Sequence, residues 1–400
     1  MPQPAVPAAP ERLHALDAVR GFALLLGVVL HATISFVPAP TRIWIIEDSH
    51  PSMLLTALFF VIHVFRMTTF FVMAGFFSHM AFHRRGAAGF VLDRLQRIAL
   101  PLAAGWPIVF AAMVPVVRWA AGLPHGGPIP GAPRWPPELP AFPLAHLWFL
   151  YVLLELYAAT LLLRWCIVRF DRSGRIRATT DRSFAAIMRS PFAPLLLAIP
   201  IGVAFFLDPT WVVWMGVRTP EQSLITNIQA WIGFGTAFGF GWLLHRQSDL
   251  LGAIERRWPL NMVPAIALIA VCFVLGLMRP PTHAAVHFAA AACYAVAIWS
   301  TTFALIGAAL RFLSGYSATR RYLADASYWV YLIHIPIVLA LQVAVAPLDW
   351  PWPVKFGAIL LVAIPLMLIS YQLLVRTTFV GMVLNGRRIV RGKKRSVQPA

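Results

Sequence analysis

Apolar residues along this chain gather into long, nearly unbroken runs rather than short alternating periods. A helix that crosses a bilayer needs about 20 predominantly apolar residues. Ten such runs occur, at residues 16–37, 54–80, 98–121, 145–168, 192–208, 225–245, 261–279, 285–310, 326–347 and 354–375, the fifth being the shortest. The pattern predicts an all-α, polytopic integral membrane bundle of about ten transmembrane helices spanning residues 15–376. Residues 1–14 read as a disordered tail and 377–400 as a basic tail. Prolines inside the runs, such as Pro107, Pro200 and Pro336, do not argue against helices, because neighbouring helices can satisfy the freed carbonyls.

The polar segments give an orientation. With the N-terminus inside, 26 Lys and Arg residues fall in inside segments and six outside, while Arg66 lies within a run. Cytoplasmic loops carry the excess of Lys and Arg, so an even helix count with both ends cytoplasmic is expected. The outer segment 122–143 holds eight prolines and four glycines. It cannot be helical and is expected to cap an outer cavity. The inner segment 169–190 reads as polar and Arg-rich. The basic run from Arg387 to Arg395 reads as an anchor to anionic membrane lipid.

Composition agrees. Of 400 residues, 60% are hydrophobic and 12% charged, against roughly 25% charged in soluble domains. The net charge of +18 would suggest nucleic acid in a soluble protein, but its placement in loops between apolar runs argues against nucleic acid and for topology. Cys166, Cys272 and Cys293 offer neither a disulfide framework nor a metal-ligand spacing, and no metal is expected.

Ionisable groups inside membrane helices are costly and therefore mark candidate sites. The first run, LDAVRGFALLLGVVLH, carries Asp17, Arg20 and His31. Eleven residues bring Arg20 and His31 to within about 20° of one face, with His31 about 16 Å deeper, near mid-membrane. Asp17 can pair with Arg20 one turn on. The second run places His63 and Arg66 on one face. Arg66, beyond snorkelling reach, needs an anion: either Glu155 of the fourth run, at similar depth, or a substrate oxyanion or carboxylate. Arg94 and Arg97 stand one turn apart before the third run and suit a phosphate. His146 falls at the outer interface, and His334 about 12 Å from the inner end of the ninth run. Tyr328, Trp329 and Tyr331 before it read as an interfacial aromatic belt or as part of the site.

No nucleophile elbow, Walker loop or zinc-protease motif occurs. Direct transfer with a histidine base is then the simplest chemistry: His31 takes a proton from an acceptor hydroxyl, and Arg66 or His63 stabilises the oxyanion. His63 and His334 are the other candidates for the base. A proton-coupled transporter of an organic anion or lipid uses the same buried groups and is the competing reading.

The Arg20-to-His31 spacing, FFVMAGFF, the Arg94/Arg97 pair before Pro101, HLWFL and SYWVYLIHIPIV, in this order, resemble the acyltransferase-3 family of membrane acyltransferases. FRMTTFFVMAGFFS, HLWFLYVL and DASYWVYLIHIPI are most similar to its glucan-biosynthesis branch, which succinylates osmoregulated periplasmic glucans. The resemblance runs from residue 11 to about 376. It implies a ten-helix protein of a bacterial inner membrane, an acyl-CoA donor from the cytoplasm (succinyl-CoA or acetyl-CoA), and a periplasmic glucan or other glycan as acceptor. It further implies His31 as catalytic histidine, Arg20 as its partner, and Arg94 and Arg97 as ligands of the CoA phosphates.

Overall fold

The computed structural model describes residues 9–38, 42–129, 131–132, 136–278 and 283–385; the expected basic run from Arg387 lies outside them. Thirteen α-helices form the bundle, with no β-strand among the described residues: α1 Ala9–Thr33, α2 Met53–Arg94, α3 Leu100–Ala121, α4 Trp148–Phe170, α5 Arg175–Arg189, α6 Ala193–Phe206, α7 Ile228–Arg246, α8 Leu251–Arg256, α9 Trp258–Leu277, α10 Ala284–Phe312, α11 Ala318–Val345, α12 Trp352–Ser370 and α13 Phe379–Asn385. Large apolar side chains such as Leu163, Ile199, Val263, Ile266 and Leu361 stand exposed on the perimeter. That surface suits lipid and is costly in water.

Each of the ten apolar runs falls on a helix, but among the described residues seven helices are long and apolar enough to cross a membrane. The second and third runs share one continuous stretch, Met53–Ala121. It breaks at Gly86, whose φ of 68° and ψ of 178° no helix accepts and which a residue without Cβ adopts freely. The fifth run yields only the 14-residue α6, about 21 Å long against a hydrocarbon core of about 30 Å. It meets α5 at a 111° bend. The segment 169–190 is therefore not merely a polar loop. It folds into α5, which buries Phe184 and Met188 along one side and leaves its arginines outward. α1 also begins at Ala9, inside the expected N-terminal tail.

Helix α2 packs most extensively on α7, and α1 on α11 and α2. The α2–α7 crossing is close because Gly75 lies against the backbone of Phe238 and Gly241 against that of Val72; a Cβ at either position would meet a carbonyl. Small residues are how membrane helices approach to backbone contact. At the opposite end of the bundle from Arg20, loops close the fold. Residues 122–129 bridge to the 42–47 loop through Ile46 and Gly126, and Arg42 donates to the carbonyls of Gly126 and Pro128 at 2.7 and 2.8 Å. Asp48 anchors the same loop to α12 through Lys355, a fully buried ion pair at 2.9 Å.

Candidate active site

Below those loops lies a cavity of about 1480 Å³. Its wall is mostly apolar, but His31, His63, Arg66, His146, Tyr331 and His334 all line it. The first, second, fourth and ninth apolar runs thus deliver their candidate residues to one space. The proline-rich segment contributes Pro128, Ile129, Ala132 and Pro143, so it does cover this cavity.

His31 sits in the last turn of α1, nearer the loop end than the mid-membrane depth expected of it. Trp44 stacks on its ring at 5.7 Å and an interplanar angle of 15°. Gln342 of α11 holds both: its amide donates to the His31 carbonyl at 2.9 Å, and its oxygen accepts from Trp44 Nε1 at 2.9 Å. His31 also neighbours His334, with ring centroids 5.1 Å apart. His334 in turn lies 5.0 Å from His146. Three imidazoles therefore line up along one wall.

Backbone carbonyls orient these rings. His334 Nδ1 lies 2.6 Å from the Tyr331 carbonyl, and His146 Nε2 lies 3.2 Å from that of Leu332. His63 Nε2 lies 3.3 Å from the Met215 carbonyl. A carbonyl only accepts, so each of these nitrogens carries the proton. Tyr331 donates its hydroxyl to the His146 carbonyl at 2.8 Å and is buried, and Tyr328 donates to the Arg97 carbonyl at 2.6 Å. These tyrosines belong to the interior, not to an interfacial belt.

Arg66 has no ion-pair partner among the described residues, and its Nε is buried without a hydrogen bond. The pair with Glu155 that equal depth allowed is not formed; Glu155 accepts a 2.7 Å bond from Thr226 and does not line the cavity. The guanidinium instead lies against Gly27 of α1, and a Cβ there would collide with Nη1. An uncompensated guanidinium in an apolar wall is costly and calls for an anion.

The remaining candidates form a second cluster at the Arg20 end. Arg20 pairs with Asp17 at 3.1 Å, as their spacing suggested, and Asp17 also takes Arg321 at 3.1 Å. Arg94 and Arg97 both converge on Asp93, at 2.7 and 3.0 Å, and Arg85 joins them. Arg97 lies in a π-helical turn, Leu95–Ala99, a distortion that recurs at functional sites. None of these residues lines the cavity. Its inner end, however, reaches Ala23, Leu24, Met67 and Phe70. Ala23 is one turn of α1 from Arg20, whose guanidinium covers Phe77 at 5.1 Å.

Three participants escaped sequence reasoning. Gln342 is an amide in the apolar run LALQVAV, and a polar residue at membrane depth was a usable signal. Asp93 precedes Arg97 by one turn and was legible in the same way. Trp44 had no such signal, because a loop tryptophan is unremarkable until the loop folds over α1.

The acyltransferase domain family matches residues 13–372. Curated relatives called Glucans biosynthesis protein C, from Escherichia coli O139:H28 (strain E24377A / ETEC) and O17:K52:H18 (strain UMN026 / ExPEC), are each 23% identical over 389 residues, which is 96% of this chain and 97% of theirs. The protein of the same name from E. coli O1:K1 / APEC is 23% identical over 397 residues. No solved structure gives a significant match. On a match across nearly its whole length, this multi-pass membrane chain belongs to the acyltransferase-3 family.

Proposed function

We propose that the protein transfers an acyl group from cytoplasmic acyl-CoA to a hydroxyl of a periplasmic glucan or related glycan. The observation that carries this reading is the reach of one cavity. It gathers His31, His63, His146 and His334 around the unpaired Arg66, and its inner end stops one turn of α1 short of Arg20. A donor with charged phosphates at one end and a thioester on a long flexible arm fits that layout. The phosphates rest on Arg94 and Arg97, which are gathered by Asp93, and Arg20 stands beside the path. The thioester lies in the cavity beside His31, about 16 Å along α1 from Arg20. The arginine end then faces the cytoplasm and the capped end the periplasm, with both chain ends inside.

The chemistry needs one base and one cation. His31 Nε2 accepts the proton of the acceptor hydroxyl as its oxygen attacks the thioester carbonyl. The tetrahedral oxyanion is stabilised by Arg66, or by His63 as an imidazolium, since the Nε2 proton of a neutral His63 is already given to the Met215 carbonyl. The carbon–sulfur bond breaks, and the thiolate takes the proton back from His31. The products are an ester and free CoA, and no covalent enzyme intermediate is required.

The glucan acceptor is supported by the name the relatives carry. A succinyl donor is favoured over an acetyl donor because the free Arg66 guanidinium offers a counter-ion for a distal carboxylate. Mass spectrometry of periplasmic glucans from cells with and without the protein tests the reading. An acyl mass of succinyl or acetyl size missing from the knockout supports it. Unchanged glucans remove that acceptor.

A further inference from the structure

We propose that His334 is the positioning residue of the site: its Nε2 accepts the Nδ1 proton of His31 and thereby sets the tautomer in which His31 Nε2 is the free base. This rests on the acyl-transfer reading and adds the group that orients the base.

His334 donates its Nδ1 proton to the Tyr331 carbonyl at 2.6 Å. In a neutral imidazole the other nitrogen is then an acceptor. That nitrogen, Nε2, is buried with no partner among the described residues, and the residue is 2% exposed. His31 Nδ1 is likewise buried and unpartnered. A buried acceptor and a buried potential donor, each unsatisfied, are both unfavourable alone. Their rings lie 5.1 Å apart at 42°. A bond of about 2.9 Å between nitrogens, each about 1.1 Å from its ring centre, spans about 5 Å, so the ring separation suits such a bond, and rotation of the two rings about their side-chain torsions would close it.

The chemistry asks for the same arrangement. The acceptor hydroxyl must meet an unprotonated Nε2, and that places the proton of neutral His31 on Nδ1. Without a partner for Nδ1–H, nothing chooses between the two tautomers. A base oriented by a second group that takes its other N–H is the arrangement of hydrolase triads, with a neutral imidazole here in place of the carboxylate. Trp44 stacks on the His31 ring and Gln342 fixes the His31 backbone carbonyl, which restricts the ring's rotation.

His334→Phe keeps the ring volume and removes the lone pair. His334→Gln restores an acceptor near the same point. The phenylalanine variant is expected to lower kcat about 100-fold or more with KM within about twofold, and to shift the acidic limb of the kcat/KM profile. The glutamine variant is expected to recover to within about tenfold of the parent. Nitrogen-15 NMR of ring-labelled protein in bilayers reads the tautomer independently of turnover. The parent should show His31 protonated at Nδ1, and the phenylalanine variant a mixture or Nε2–H. A parent His31 protonated at Nε2, or a phenylalanine variant with parental kcat, overturns the proposal. Because the NMR readout needs no acyl transfer, failure of this pairing is seen separately from failure of the acyltransferase reading.

Discussion

The guanidinium of Arg66, carried on α2, occupies the space that a side chain at Gly27 of α1 would fill. The two helices therefore hold the cation against the cavity wall by leaving out an atom, not by supplying a counter-charge. Gly27→Ala should push the guanidinium aside. Alanine is the better helix former by about 1 kcal/mol, so folding should not suffer. The expected result is an unchanged or higher melting temperature with kcat/KM lowered about tenfold to 100-fold. The double variant Gly27→Ala/Arg66→Gln should be no worse than Arg66→Gln alone, because both remove the same interaction.

Arg66 itself separates two roles. If it holds a distal carboxylate, Arg66→Gln should cost succinyl transfer at least about 100-fold and leave acetyl transfer within about tenfold. If it meets the oxyanion, both donors should fall together. Initial rates with the two acyl-CoA donors decide between them.

At the other end of the cavity's path, Asp93 gathers Arg85, Arg94 and Arg97. Replacing Arg94 and Arg97 together by Gln should raise KM for acyl-CoA about tenfold or more and change kcat less. Equilibrium binding of CoA to the same variant checks this directly, and parental affinity would refute the phosphate role.

The Lys355–Asp48 pair predicts a stability effect away from the chemistry. Both partners are buried, and Lys355 also donates to the Ala346 carbonyl at 3.2 Å. Lys355→Met leaves a buried carboxylate without its cation and should cost about 3–5 kcal/mol. The double variant Lys355→Met/Asp48→Asn should recover part of that. Melting curves in detergent read both, and equal losses in the two proteins would contradict the assignment.

Much of this was legible in the chain. Every apolar run became a helix because bilayer-length apolar segments have few other ways to satisfy their backbone. The spacing of Asp17 and Arg20 gave their ion pair, since residues one turn apart must meet. His31, His63, Arg66 and His334 declared themselves as polar groups at membrane depth and His146 as one at the outer interface, and the fold brings all of them to one cavity. What failed depended on tertiary contact. Equal depth suggested Arg66 with Glu155, but depth says nothing about which way a helix faces, and Glu155 turns to Thr226 instead. The helix α5 was hidden because its apolar face is narrow and its arginines dominate the composition. The clamp of Trp44 and Gln342 on His31 joins residues nearly 300 positions apart, and no local pattern encodes such a contact.

The central claim is that His31 is the base of an acyl transfer carried through this cavity. Its most direct test is transfer in proteoliposomes, with acyl-CoA supplied on the arginine side, a glucan acceptor on the capped side, and free CoA and acylated glucan both measured. The account predicts acceptor-dependent CoA release and an acylated glucan with the parent protein, and a loss of about 10³-fold or more with His31→Ala while CoA binding and melting temperature are kept. Undiminished transfer by His31→Ala, or CoA release that ignores the acceptor, would contradict it.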